Sequence, residues 1–114
     1  MEKIVEQTLL FDFYGELLTE HQRQVYEDVV LNDLSLSEAA ANHGISRQGV
    51  HDLIRRCNRI LEEYEEKLHL VERFLKIREN VKEIRSVIQN SEDFSSEEVK
   101  NRLLQKTSDI LEEL

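Results

Sequence analysis

The chain has 114 residues, and its 15 basic and 24 acidic side chains give a formal net charge of −9. Hydrophobic residues make up 39% of the chain, which is enough for a core and excludes disorder throughout. There is no proline and there are only three glycines, which argues against a turn-rich β-sandwich or barrel. A single cysteine excludes an internal disulfide and a cysteine-rich zinc site.

No apolar run is long enough to cross a membrane, and the polar first residues are unlike a signal peptide. We therefore expect a soluble, cytoplasmic protein without membrane insertion.

Apolar residues recur at intervals of three and four along most of the chain, the spacing of helices that each bury one face. The pattern predicts an all-α fold of about five or six helices. The predicted segments are about 2–18, 20–31, 36–43, 46–89 and 96–112. Some of these starts have capping-box spacing, in which a serine or threonine and a residue three positions later share the end of the helix. The pairs are Thr19 with Gln22, Ser35 with Glu38, and Ser95 with Glu98.

The segment over about 46–89 carries an apolar stripe without a break, and as one helix it would span about 60 Å. That length exceeds the width of a globule of this size. The helix therefore either bends near residues 65–70 or protrudes and pairs with a second chain. We expect a homodimer whose interface is the helix over about 57–88. In the alternative, the helix over 96–114 folds back over the stripe in a monomer.

Residues 36–55 have the pattern of a helix-turn-helix. Gly44 stands where the tight turn needs a positive φ, and Ser46 can cap the second helix. Small or apolar residues fall where the two helices face each other: Ala39, Ala40, Ile45, Val50 and Leu53. His43 is a departure, because that position is more often apolar. An ordinary helical hairpin is the alternative, but it does not require all these constraints at once.

The helical period places the polar residues of the second helix on its outer face. The predicted nucleic-acid-binding residues there are Ser46, Arg47, Gln48, His51, Arg55, Arg56 and Arg59. The first residues of a recognition helix reach base edges, where arginine suits guanine and glutamine suits adenine. Ser46 and the amino end of the helix can meet a phosphate. The last three arginines are candidates for contacts with the DNA backbone.

These arginines give residues 45–61 a net charge of +3, with four arginines against Asp52. Residues 1–44 carry −7 and residues 91–114 carry −4. The acidic excess argues against binding nucleic acid by bulk charge alone. A solvated helix face whose arginines pair with glutamates is the alternative. We expect a monomer to bind DNA weakly and with strong salt dependence, whereas a dimer adds contacts across two half-sites.

No constellation of residues points to an enzyme or a cofactor. Glu65 and His69 are four positions apart and share a helix face, but a third metal ligand is missing. Cys57 lies in the apolar stripe, where a buried structural thiol is expected. We therefore expect no catalytic activity, no metal and no cofactor. The whole chain, 1–114, is expected to be a single all-α domain, with the helix-turn-helix region in 1–60 and a dimerisation region in 61–114.

Several segments together resemble the YlxM family of small bacterial helix-turn-helix proteins. The resemblance covers about residues 1–89 and rests on Leu10 to Tyr14, Leu17 to Thr19, Asp33 to Ala40, Ile45 to Asp52, and Leu61 to Leu68. The chain departs from the family signatures at Leu34, Gly49 and His51, and Gly49 loosens the recognition helix. The motif is also similar to the C-terminal helix-turn-helix of sigma factors, in their region 4.

The resemblance implies a regulatory protein, with DNA binding inferred from the fold. It also implies a part in the signal recognition particle pathway, because the family is encoded beside the particle's GTPase, Ffh, and its receptor, FtsY. The alternative is an accessory protein that interacts with Ffh or the particle RNA without binding DNA. The geometry of the motif favours the first interpretation, and the acidic charge favours the second.

Overall fold

The computed structural model describes residues 3–90 and 96–114, and all regular structure in them is helical. The helices are α1 (Lys3–Tyr14), α2 (Glu20–Tyr26), α3 (Leu36–His43), α4 (Arg47–Leu68), α5 (Leu70–Asn90) and α6 (Glu97–Glu113). A short 3₁₀ helix, Gly15–Leu17, follows α1, and a π-helical segment, Glu27–Leu31, continues α2. The predicted all-α fold is confirmed.

The chain forms two compact units, of which the first ends at His69 and the second begins at Leu70. The first unit contains the helix-turn-helix and the second contains α5 and α6. This boundary lies later in the chain than the division between residues 60 and 61 that the sequence suggested. The single domain over 1–114 stays a prediction.

The core of the first unit joins α2, α3 and α4. Its centre is the buried cluster of Val25, Ala39, Ala40 and Val50. Aromatic rings extend this core toward α1, where Phe11 stacks on Tyr26 with 5.4 Å between ring centroids. Burying these apolar side chains stabilises the unit, since each large one removed from water, such as Val25 or Phe11, contributes on the order of 1.5–3 kcal/mol.

The first helix ends earlier than predicted, at Tyr14 instead of residue 18. Gly15 is buried against the ring of Phe11, and a Cβ there would lie 2.9 Å from the Cε2 atom of that ring. The backbone then tightens into the 3₁₀ helix before it reaches Thr19. Periodicity alone extends the predicted helix through this change, because the apolar residues continue at the same spacing.

Two of the predicted capping boxes are confirmed, with both reciprocal hydrogen bonds present at Thr19 and at Ser35. The third involves Ser95, which lies outside the described residues. The cap of α6 is instead Ser96, whose hydroxyl accepts a hydrogen bond from the Val99 N–H at 3.5 Å.

The stripe over 46–89 is not one helix. His69 adopts a left-handed conformation with φ of 56°, and its N–H donates to the Glu65 carbonyl at 2.8 Å. The hydrogen bond closes α4, and α5 begins at the next residue, Leu70. Of the two alternatives, the unbroken 60 Å helix is therefore wrong and the interrupted one is correct, whereas a dimer interface over 57–88 stays a prediction.

In the second unit α5 and α6 pack against each other as an antiparallel pair. Lys106 forms an ion pair with Glu83, and Lys76 lies 3.7 Å from Glu113. In these pairs the numbers on α5 fall as those on α6 rise, which fixes the antiparallel register. No described helix is long and apolar enough to cross a membrane.

Candidate nucleic-acid interface

The turn between α3 and α4 has the geometry of a helix-turn-helix. Gly44 ends α3 with φ of 66°, in the left-handed region that glycine adopts without steric cost. Its N–H and that of Ile45 both donate to the Ala40 carbonyl. Ser46 then caps α4, because its hydroxyl accepts from the Gly49 N–H at 2.9 Å. The predicted turn at Gly44 and the predicted helix cap at Ser46 are confirmed.

The predicted inner face is also the buried face of the motif. Ala39 and Val50 are completely buried, so the absence of a large side chain on α3 lets the two helices approach closely. Ile45 and Leu53 are partly buried and pack against the same cluster. With this face directed inward, the polar face of α4 must point outward.

His43 is explained by an interaction that the sequence did not reveal. Its Nε2 lies 2.6 Å from an Asp28 carboxylate oxygen, and both side chains are partly buried. The edge of its ring also meets the ring of His21, with 6.0 Å between centroids. The π-helical segment that carries Asp28 is therefore tied to the end of α3, just before the turn. No fixed spacing signals this pair, since the two residues come from different helices.

All seven predicted nucleic-acid-binding residues are exposed on α4 or at its cap. They are Ser46, Arg47, Gln48, His51, Arg55, Arg56 and Arg59. Three of the arginines, Arg55, Arg56 and Arg59, line one shallow surface hollow together with Asp52, Ile60 and Glu63. A second hollow, beside the start of α3, is lined by Leu36, Arg47, Gln48 and His51. The structure thus divides six of the seven predicted residues between two hollows, and Ser46 lines neither of them.

The arginines of α4 form no ion pair with any described residue, although the chain carries 24 acidic side chains. Arg47, Arg55, Arg56 and Arg59 are all exposed. By contrast, Lys76 and Lys106 of the second unit are paired with glutamates. The guanidinium groups on the outer face of α4 are therefore available to an anionic ligand.

Asp52 stands among these cations and contacts two of the predicted residues. The Gln48 Nε2 donates to Asp52 Oδ1 at 3.0 Å, and the His51 Nδ1 lies 3.8 Å from the same oxygen. The spacing of four between Gln48 and Asp52 is visible in the sequence, but the hydrogen bond is seen only in the structure. The amide of Gln48 is consequently oriented before any ligand arrives.

Asn58 holds α4 to α1 and α2, a role that sequence reasoning missed. Its Oδ1 accepts from the Tyr26 hydroxyl at 2.6 Å and from the Gln7 amide at 3.3 Å. A polar residue next to the buried stripe of α4 is the one signal that could have indicated this anchor. The outer face of α4 is thus held in a fixed rotation relative to the rest of the first unit.

Two further sequence expectations concern Cys57 and the pair of Glu65 with His69. Cys57 is completely buried, as predicted, and burial raises the pKa of its thiol to about 11. Glu65 accepts a hydrogen bond from the Tyr14 hydroxyl at 2.5 Å. In the described part of the chain, no group of three or more potential metal ligands is assembled.

The left-handed turn at Gly44, the buried inner face and the outward polar face of α4 define an all-α helix-turn-helix protein. Residues 1–102 match the family described as "Putative helix-turn-helix protein, YlxM / p13 like", or UPF0122, and the chain belongs to that family. The resemblance found in the sequence is therefore confirmed.

Curated relatives support the same assignment. A UPF0122 protein of Acetivibrio thermocellus is 42% identical over 115 residues, which cover 100% of this chain and 97% of the relative. A UPF0122 protein of Shouchella clausii is 47% identical over 77% of this chain and 81% of its own. One of Clostridium kluyveri is 48% identical over 74% of this chain and 76% of its own.

Proposed function

We propose that this protein is a non-enzymatic, cytoplasmic regulator that binds duplex DNA through α4. One observation carries the proposal: the arginines on the outer face of the second motif helix are exposed and have no ion pair among residues 3–90 and 96–114, in a chain of net charge −9. In an acidic protein, unpaired cations on one face indicate a surface kept for an anionic partner.

The predicted DNA-binding residues fall into two groups according to their position along α4. Arg47, Gln48 and His51 lie in its first turns, which enter the major groove in proteins of this class and meet base edges. Arg55, Arg56 and Arg59 lie further along, where they would contact phosphates. Ser46 already serves as the cap, so the amino end of the helix that it completes, and not a free hydroxyl, would face a phosphate.

The acidic remainder of the chain restricts how DNA can approach. Contacts with residues 1–44 or 91–114 would bring phosphates toward segments that carry −7 and −4. Binding therefore depends on few ion contacts, and the logarithm of affinity should fall by about 0.9 per contact for each unit of log salt.

We further propose a homodimer formed through the second unit. Both of its helices leave apolar side chains exposed at a spacing of seven: Val81 and Ile88 on α5, and Leu104 and Leu111 on α6. Two paired helices cannot cover these residues themselves. A second copy would cover them as a four-helix arrangement and would present two copies of α4.

Electrophoretic mobility shifts at low salt test the DNA-binding proposal, with pooled random-sequence duplexes as probe. Arg47→Ala should weaken binding about tenfold, and Arg55→Ala should weaken it and lower the salt slope by about one. Arg85→Ala, at an exposed arginine of α5, removes the same charge outside the motif and should bind as the wild type does. Absence of binding by the wild type, or equal effects of all three substitutions, would contradict the proposal.

The acidic surface favours a second candidate, an accessory role in the signal recognition particle pathway through Ffh or the particle RNA. A net charge of −9 suits a basic, RNA-binding protein surface better than it suits a polyanion. A pull-down with purified Ffh, with and without the particle RNA, distinguishes this accessory role from DNA binding. Retention of Ffh that is unaffected by Arg47→Ala and Arg55→Ala supports a role independent of the DNA-binding face, and no retention at physiological salt rejects it.

A further inference from the structure

Asp52 is the acidic side chain of α4 nearest the amino end of the helix, where a negative charge would face the phosphates of a bound duplex. Asp52 is exposed, with 63% of its side chain accessible, and stands between His51 and the arginines that line the neighbouring hollow. A carboxylate there repels phosphate and offsets one of the four arginines. We propose that Asp52 is a positioning residue that orients the Gln48 amide to read adenine. The inference rests on the proposed binding of DNA by α4.

The orientation follows from the chemistry of the two groups. An ionised carboxylate only accepts hydrogen bonds, whereas an amide has a donating NH₂ and an accepting oxygen. The Gln48 Nε2 donates to Asp52 Oδ1 at 3.0 Å. The flipped amide would place its oxygen against the carboxylate, acceptor against acceptor. Asp52 therefore selects one of the two amide orientations.

The selected orientation leaves Gln48 with one N–H and its Oε1 for a ligand. Adenine presents an N6 donor beside an N7 acceptor in the major groove, which matches that pair of groups. Guanine presents two acceptors, O6 and N7, so Oε1 would meet an acceptor there. The fixed amide consequently discriminates adenine from guanine, and a freely rotating amide discriminates less.

The location of Gln48 places this amide where a base edge is met. It lies in the first turn of α4 and lines a surface hollow with Leu36, Arg47 and His51. Leu36 belongs to the start of α3, so the hollow lies where the two motif helices meet on the outward side. The Gln48–Asp52 pair is thus part of the surface proposed to enter the groove.

Selection from a pool of duplexes with a randomised central segment tests the proposal. The wild type should enrich a site with a fixed adenine that Gln48→Ala no longer selects. Asp52→Asn should relax this position, because an asparagine amide can also donate and so permits both orientations of Gln48. Asp52→Glu keeps an acceptor-only carboxylate and should retain the preference. The loss of discrimination should be on the order of tenfold.

A base analogue probes the contact atom by atom. Replacing the selected adenine by 7-deazaadenine removes the N7 acceptor and should weaken wild-type binding by about as much as Gln48→Ala does. The Gln48→Ala protein should bind both duplexes equally. A matched control is available on α6, where the Gln105 amide donates to Asp109 at 2.9 Å with the same spacing. Asp109→Asn should leave the selected sequence unchanged.

The results of the selection distinguish a failure of the inference about Asp52 from a failure of the proposed DNA binding. If the Asp52→Asn protein still prefers adenine, the inference is overturned. If Gln48→Ala enriches the same site as the wild type, the inference is overturned too. In both cases the proposed binding of DNA by α4 still stands. A fixed guanine or cytosine at the position that depends on Gln48 overturns the inference as well. If the wild type enriches no duplex, the proposed function fails and the inference fails with it.

Discussion

Gly44 is held in the left-handed region by the geometry of the turn, so its replacement tests that turn directly. A Cβ added there meets no atom within 4 Å, which leaves the backbone conformation as the source of strain. We expect Gly44→Ala to lower the free energy of unfolding by about 1–2 kcal/mol. Gly44→Asn should cost less, because asparagine tolerates this region better. Urea denaturation followed by circular dichroism measures both, and equal stability of the alanine variant and the wild type would contradict the assigned turn.

The raised pKa values of Cys57 and Tyr26 predict how the free energy of unfolding changes at alkaline pH. Burial raises the pKa of the Cys57 thiol from 9.0 to about 11, and burial also raises the pKa of the Tyr26 hydroxyl above its ordinary range. Between about pH 9 and 11 the unfolded chain releases the thiol proton that the folded chain retains. The free energy of unfolding should therefore fall as pH rises through this window, by at most about 1.4 kcal/mol per pH unit for the thiol.

Denaturation at pH 7 and at pH 10 measures this dependence. Cys57→Ala lacks the thiol and should lose less stability between these two pH values than the wild type does, even if it starts from a lower value. A wild-type stability that rises over the same interval would show that the thiol is not protected by burial.

At the scale of helices, Asn58 joins α4 to α1 and α2. Tyr26 is completely buried and donates its hydroxyl to Asn58 at 2.6 Å, so Asn58→Ala would leave that hydroxyl without an acceptor. We expect this substitution to cost about 1–3 kcal/mol of unfolding free energy. Combining it with Tyr26→Phe removes both partners, and the double variant should lose less than the sum of the two single losses. Strict additivity in this cycle would mean that the hydrogen bond contributes nothing to the packing of α4.

The helices that the sequence predicted well are those with local signals. Thr19 and Ser35 begin helices through capping boxes, and Gly44 ends one, because these interactions involve residues within one turn of each other. The break at His69 has no such signal. A non-glycine residue with positive φ interrupts the helix while the apolar stripe continues on both sides.

In the candidate interface, too, local sequence signals predicted some features and only the folded structure shows the others. The outward position of Arg47 and Arg55 follows from helical period once Val50 is taken as buried, and the structure confirms it. The pairing of Asp28 with His43 joins residues of different helices, which no periodicity reveals. That the α4 arginines lack an ion pair within the described part of the chain depends on where the acidic side chains lie in the fold, so the sequence alone does not reveal it.

At the scale of the whole molecule, the charge distribution and the exposed apolar surface indicate two different kinds of partner. Residues 45–61 carry +3 in a chain of net charge −9, which favours contact between α4 and an anionic partner. The exposed apolar side chains of α5 and α6 favour a protein partner instead. A dimer would account for both features, because it would cover the apolar side chains and would carry two copies of the outer face of α4.

The proposed dimer is tested at two exposed leucines of α6. Leu104 and Leu111 are 65% and 71% exposed and lie seven residues apart, on one face of the helix. We expect Leu104→Asp or Leu111→Asp to convert a dimer into a monomer, because a carboxylate in an apolar interface must lose its hydration without gaining a partner. Multi-angle light scattering measures the mass directly. Leu17→Asp places the same charge at an exposed leucine of the first unit and should leave the mass unchanged. A wild-type mass of one chain at micromolar concentration would contradict the dimer, and the DNA contacts of α4 would then have to act from a single copy.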